Sequence, residues 1–223
     1  MVVIKKEATP RSLVEFQRKE GASYSNADFP RKDVCHALLR EQGGLCAYCM
    51  ARITESNIQI EHWVPQKCEY YEDQYTQEEC DELAIDYRNM LGVCSGGEGR
   101  AYKNTTCDEH RKNLWIKIDP HRQWMIDSLQ YKRDGTILST DRDIEYDISE
   151  TLNLNEEILR ANRQRAWQAC MQVMQKQRRS GTWTKAMIGR QIARYEGRDE
   201  EGNRLPYAGI VLYWLKKYWE KAP

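Results

Sequence analysis

The sequence predicts an α+β fold: a small hairpin core stapled by four cysteines, a separate β-hairpin, and a mostly helical C-terminal region. Three observations predict it. Cys46-x2-Cys49 is answered, after a long excursion, by Cys94 and Cys107, the two-pair pattern of a closed tetrahedral Zn²⁺ site. Inside the excursion, Ile58-Gln-Ile-Glu-His-Trp-Val64 alternates apolar and polar residues and stops at Pro65, as a strand does. From Asn155 onward the apolar spacing is helical.

Taken in order, residues 1–30 are polar and broken by Pro10 and Pro30, and read as an arm or edge element. Residues 31–42 carry Val34, Ala37 and Leu38 at helical spacing and end in Gly43-Gly44, a glycine stop. Cys46-Ala-Tyr-Cys49 makes a knuckle, and the strand at 58–64 delivers Glu61 and His62 near its end. An acidic, Tyr-rich insert (66–87) reads as a partly helical solvent loop. Asn89-Met-Leu-Gly-Val-Cys94 returns the chain to the metal, 95–100 is a glycine-rich loop, and Cys107 opens a helix. Asp134-Gly135 between two short apolar runs signals a tight two-residue hairpin. Asn155 is a good N-cap with Glu156 and Glu157 in the first turn. Gly181 and the 202–206 segment mark breaks, and 207–218 is an amphipathic terminal helix. Three regions result: the arm 1–30, the core 31–118 with its insert, and the hairpin plus helices of 119–223.

Composition narrows the function classes. Of 223 residues, 40% are hydrophobic and 30% charged, which suits a globular chain rather than a disordered one. No apolar run approaches the roughly 20 residues of a membrane span, and the N-terminal residues lack a secretory apolar stretch, so a reducing cytoplasmic setting without a membrane is expected. The eight cysteines are then metal ligands plus free thiols, with Cys35, Cys68, Cys80 and Cys170 in the second group. The net charge of zero is a cancellation between segments. Residues 69–86 carry eight acidic side chains and no Lys or Arg, and 158–195 carry nine basic ones and no Asp or Glu. The basic stretch, Arg160 and Arg163 included, is either a phosphate-tracking surface or a solvated face over a core stripe. The aromatics of the last helix suit base stacking or, better, a protein interface.

The residues between the cysteines carry the chemistry. CAYC…IEHWVP…DYRNMLGVC…CDEHRKN, spanning roughly residues 38–115, resembles the HNH, or ββα-metal, endonucleases in their four-cysteine form. That resemblance implies a zinc-stapled ββα core that hydrolyses nucleic-acid phosphodiester bonds with a catalytic Mg²⁺ or Mn²⁺. It implies His62 as the general base, for which a strand histidine partly neutral at cellular pH is suited, and Glu61 as a catalytic metal ligand. Asp108, directly after the last cysteine, is the second ligand, unless the helix starts later and His110 takes that role with Asp108 as its cap. Asn89 pins the loop and orients His62, or is a turn residue. Arg111 and Lys112 touch phosphate or are solvated. LLREQGGLCAYC, the Asp-Gly hairpin and LNLN at 152–155 are similar, more loosely, to the HNH subunit of Septu and retron-associated anti-phage systems. This implies an ABC-type ATPase partner, a retron reverse transcriptase with its RNA–DNA, and a nucleic-acid substrate, with DNA favoured over structured RNA.

Overall fold

The computed structural model describes residues 1–67, 74–178 and 181–223. Helices α1 (Arg11–Gln17) and α2 (Arg31–Gln42) precede strand β1 (Gln59–His62). Helix α3 (Gln77–Ala84) leads into strand β2 (Met90–Val93), and helix α4 (Cys107–Arg111) follows. The chain continues through α5 (Gln123–Asp127), β3 (Leu129–Tyr131), β4 (Ile137–Ser139) and α6 (Arg142–Tyr146). It closes with α7 (Glu157–Gln177), α8 (Lys185–Glu196) and α9 (Ala208–Lys221). This is an α+β chain with two small antiparallel hairpins, β1–β2 and β3–β4. Among the described residues no helix is long and apolar enough to cross a membrane.

The β1–β2 register decides where the key side chains go. Glu61 pairs with Leu91 and His62 with Met90. Because side chains alternate along a strand, Gln59, Glu61, Leu91 and Val93 share one face, and Ile60, His62, Met90 and Gly92 share the other. Each face meets a different core. Leu91 and Val93 join the large cluster containing the cysteine knuckle, β3, β4 and the C-terminal helices. Ile60 and Met90 join a second cluster with Leu13, Phe16, Val34 and Leu38 from α1 and α2. The apolar runs are therefore buried on both sides.

The N-terminal segment is part of this packing rather than a free arm. Leu13 and Phe16 are buried, and the Ile4 amide donates to the Pro120 carbonyl at 2.9 Å. Lys6 reaches the buried Glu41 carboxylate at 2.7 Å, which also accepts from the Tyr87 hydroxyl at 2.9 Å. At the end of α2, Gly43 adopts φ 64° and its amide caps the helix. There Gln42 donates to the carbonyls of Leu45 and Gly92 and accepts from the Gly92 amide, each at 2.7 Å, sewing the knuckle to β2.

Several expectations are corrected. Asn155 does not cap α7: its amide exchanges two 2.9 Å bonds with the Ile137 backbone, tying β4 down, while Glu156 caps the helix. The Asp134-Gly135 turn is longer than a two-residue hairpin, since Lys132 pairs with Thr136 across it and Gly135 sits at φ 90°. Cys80 is disulfide-bonded rather than free, and Cys35 and Cys170 are free thiols; the notional thiol at 68 lies outside the described residues. Of the terminal-helix aromatics, Trp219 stays exposed, and Tyr218 packs within the chain. Tyr218 stacks on Trp167 at 6.0 Å and meets Trp183 edge-on at 5.3 Å.

Candidate metal centre and adjoining carboxylate site

The Sγ atoms of Cys46, Cys49, Cys94 and Cys107 all lie within 4.8 Å of one another. Measured pairs are 3.9 Å for Cys46–Cys107, 3.7 Å for Cys49–Cys94 and 3.8 Å for Cys94–Cys107. A tetrahedron with Zn–S bonds of about 2.3 Å has S···S edges of about 3.8 Å. The four sulfurs are thus spaced to hold a metal ion such as zinc. Packed this closely they cannot all carry charge without a cation. Hydrogen bonds from its neighbours hold the Cys94 thiol well below the ordinary range, while burial pushes Cys46 up. Zn²⁺ bound by four thiolates would leave a net charge of about −2, and a site so loaded would repel phosphate. Among the described residues it is the one set of three or more His, Cys or carboxylate groups gathered for an ion.

Beside it, Glu61 points from β1 toward α4. Its Oε1 accepts from Arg111 Nη1 in an ion pair and from the Tyr48 hydroxyl at 3.1 Å, and its Oε2 accepts from the His62 amide at 3.1 Å. Asp108 lies in the first turn of α4, whose N-cap is Thr106, so Asp108 is not the cap. Burial, then the charge and hydrogen bond of Glu61, push the Asp108 carboxyl up to about 8. The Asp108 carboxyl thus lies close enough to Glu61, at the junction of β1 and α4, to be shifted by it. Arg111, one turn on from Asp108, is 0% exposed. It donates to Glu61, to the Tyr48 hydroxyl at 3.0 Å and to the carbonyls of His62, Trp63 and Leu114 at 3.0, 2.7 and 2.7 Å. The expected phosphate contact at Arg111 is therefore corrected: it is a buried staple. Tyr48 comes from within the knuckle itself, a role its position in CAYC only hinted at.

His62 lies on the opposite strand face, 3% exposed. Its Nε2 is 2.9 Å from the Ala84 carbonyl, which can only accept, so Nε2 carries the proton and Nδ1 accepts from the Gln66 amide at 3.1 Å. Burial holds the imidazole below its ordinary pKa, Glu61 opposing, so it is neutral at cellular pH. The Tyr24 ring meets it edge-on at 4.6 Å. Asn89 does not touch the ring. Its amide accepts from the Val64 amide at 2.7 Å and donates to the carbonyls of Val64 and Leu83 at 3.0 and 3.1 Å. It fastens both the strand exit and the segment that supplies Ala84, so it positions His62 through the backbone.

The remaining expected residues are placed elsewhere. His110 turns away from the carboxylates: it stacks on Tyr102 at 4.2 Å, and its Nδ1 lies 3.1 Å from both the Thr105 hydroxyl and the Tyr102 carbonyl. It is not brought together with Glu61. Lys112 is exposed and paired with Glu109 at 2.6 Å. Arg163 is 3% exposed on the buried stripe of α7, donating to the carbonyls of Gly135 and Leu154 at 2.5 and 2.6 Å, which corrects its assignment to a nucleic-acid surface. Arg160 is half-buried, with its carbonyl against Gly135 and its Nε enclosed. No protein-family model matches the sequence, and no curated protein is significantly similar to it.

Proposed function

We propose that this chain is a metal-dependent endonuclease of the HNH kind, hydrolysing nucleic-acid phosphodiester bonds, with DNA favoured and a structured RNA the other substrate. The observation that carries the reading is the Glu61–His62 pair at the end of β1, with Glu61 held by the His62 amide and the His62 ring fixed in one tautomer by the Ala84 carbonyl. The cysteine knuckle and β2 hold that pair in place. A donor set of Glu61 and Asp108 suits Mg²⁺ or Mn²⁺, which bind through one or two carboxylates and keep several waters. Such an ion supplies Lewis-acid stabilisation of the phosphate and the departing oxygen.

The chain's own residues do the rest. Arg111 and Tyr48 fix one oxygen of Glu61, and the His62 amide donates to the other. The Ala84 carbonyl holds the proton on Nε2, which leaves the Nδ1 lone pair to take a proton from water once the Gln66 amide turns aside. Asn89 keeps that orientation. The LLREQGGLCAYC and LNLN resemblance supports restraint by an ABC-type ATPase alongside a retron reverse transcriptase, and co-purification with those proteins tests it.

A second reading, a catalytically idle zinc-bearing binding module, is favoured by two observations: both nitrogens of His62 are engaged, and Glu61 is tied to Arg111. Incubation of the purified protein with plasmid DNA or tRNA and Mg²⁺ or Mn²⁺ separates the two. The nuclease reading expects cleavage that drops about 10²–10⁴-fold in His62→Ala, the contribution of a positioned base. Equal cleavage by both proteins removes His62 as the base, and no cleavage by either favours the idle module.

A further inference from the structure

A cleft of about 370 Å³ opens beside His62, lined by Ser23, Tyr24, Gln66, Lys67, Ala84 and Asn113 among others. Two of these residues, Gln66 and Ala84, are the ones that engage the His62 ring. Tyr24 lines the cleft, and Arg31 lies next to Tyr24 without lining it. The Tyr24 ring lies 4.6 Å from the imidazole, and the Arg31 guanidinium sits 4.7 Å from the same ring and donates to the Tyr24 hydroxyl at 2.6 Å. The same guanidinium stands 5.6 Å from the Phe29 ring. With legs of 4.6 and 4.7 Å, the guanidinium and the imidazole are within about 9 Å of each other.

Arg31 is exposed, yet its head lies over the Tyr24 ring and near the Phe29 ring that Tyr24 contacts, and no described carboxylate pairs with it. An exposed arginine normally loses side-chain entropy when it grips a ligand; here much of that ordering is already present. Its remaining N–H donors form the planar fork that matches phosphate oxygens. Lys67, in the cleft lining, adds a second cation, and Ser23, Ser25 and Asn113 add neutral donors. The one acidic group in the lining, Asp81, accepts from Gln77 at 2.8 Å. The volume falls at the lower end of pockets that hold small ligands, as suits one nucleotide unit of a longer strand.

We propose that this cleft seats one nucleotide unit of a nucleic-acid strand, and that Arg31, just outside the cleft and stacked over Tyr24, grips a neighbouring phosphate of the same strand. The assignment rests on the nuclease reading of His62 and gives that reading its substrate groove. The N-terminal segment thereby becomes part of the site.

The test measures binding by fluorescence anisotropy without added Mg²⁺ or Mn²⁺, using fluorescein-labelled 20-nucleotide single-stranded DNA, its duplex, and RNA of the same sequence. Wild type, Arg31→Ala and Arg31→Lys are titrated across a salt series. Loss of one phosphate contact should weaken binding roughly five- to tenfold and make the slope of log Kd against log salt shallower by about one. Arg31→Lys, which keeps the charge, should retain the slope. An unchanged Kd and slope in Arg31→Ala, or failure of the wild type to bind any of the three probes, overturns the assignment. Cleavage measured in parallel with Mg²⁺ separates the two claims. Arg31-dependent binding without cleavage sinks the nuclease reading and leaves the groove. Cleavage with Arg31-independent binding does the reverse.

Discussion

Replacing Arg111 with methionine should expose how much the core depends on one ion pair. The guanidinium is fully enclosed and donates to five acceptors: the Glu61 carboxylate, the Tyr48 hydroxyl and the carbonyls of His62, Trp63 and Leu114. Methionine fills much of the space and supplies no donor. Glu61 would then be a buried carboxylate close to Asp108 with no cation beside it. Removing one partner of a buried pair costs about 3–5 kcal/mol, a large share of the roughly 5–15 kcal/mol that a domain possesses. The pair itself need not be net stabilising, because desolvation offsets most of the attraction. The double variant Arg111→Met with Glu61→Gln therefore decides the cause. If the stranded charge is what destabilises, the double variant should recover about 2 kcal/mol over the single one, a coupling typical of residues in contact. Urea midpoints at constant m-value read this directly. A loss below about 1 kcal/mol in Arg111→Met, or strictly additive costs in the double variant, would refute the reasoning.

Two further outcomes concern the cysteine cluster and a buried carboxyl. Cys46→Ser breaks a thiolate set that contributes on the order of 10 kcal/mol when zinc binds, so the variant should purify without zinc and lose its cooperative unfolding transition; a zinc-free, cooperatively folded Cys46→Ser protein would overturn the metal centre. Asp147 is buried and accepts from the Lys117 and Ile118 amides at 2.7 and 2.9 Å, and burial, opposed by those bonds, raises its pKa to about 6. A raised folded-state pKa means that its contribution favours folding below about pH 4 and is lost as pH climbs through 6. Asp147→Asn keeps a carbonyl acceptor without the charge, so its urea midpoint relative to wild type should rise between pH 4 and pH 7; a pH-independent difference would contradict the burial argument.

The local parts of the fold were legible in the sequence because their causes are local. Helix 31–42 with its Gly43 stop, the strand bearing Glu61 and His62, and the four cysteines follow from spacing and turn chemistry alone. What failed depended on distant partners. Arg111 and Arg163 read as surface cations because nothing nearby in sequence shows that Glu61 lies 50 residues away or that Gly135 lies 28 away. Asn155 has the composition of an N-cap, yet the Ile137 backbone competes for its amide and wins two bonds. The α1 helix was hidden because a seven-residue segment with two buried apolar residues carries too little periodicity. Tyr24 and Arg31 gave no signal at all, since their relation to His62 exists only after α1 and α2 close over the hairpin.

Strand alternation has a consequence for how the proposed chemistry is supported. Glu61 faces the large core, with Tyr48 of the knuckle and Arg111 of α4. His62 faces the other way, against Tyr24, Gln66 and Ala84. The carboxylate half thus depends on the cysteine cluster, and the imidazole half depends on α1, α2 and the insert that begins at Gln66. A perturbation of the metal centre should disturb Glu61 and Asp108 before it disturbs His62. A movement of the insert should uncover Nδ1 while leaving the ion pair intact. On the proposed reading, a partner that bound the insert could therefore release the base without unfolding the core, whereas loss of zinc could only destroy the site.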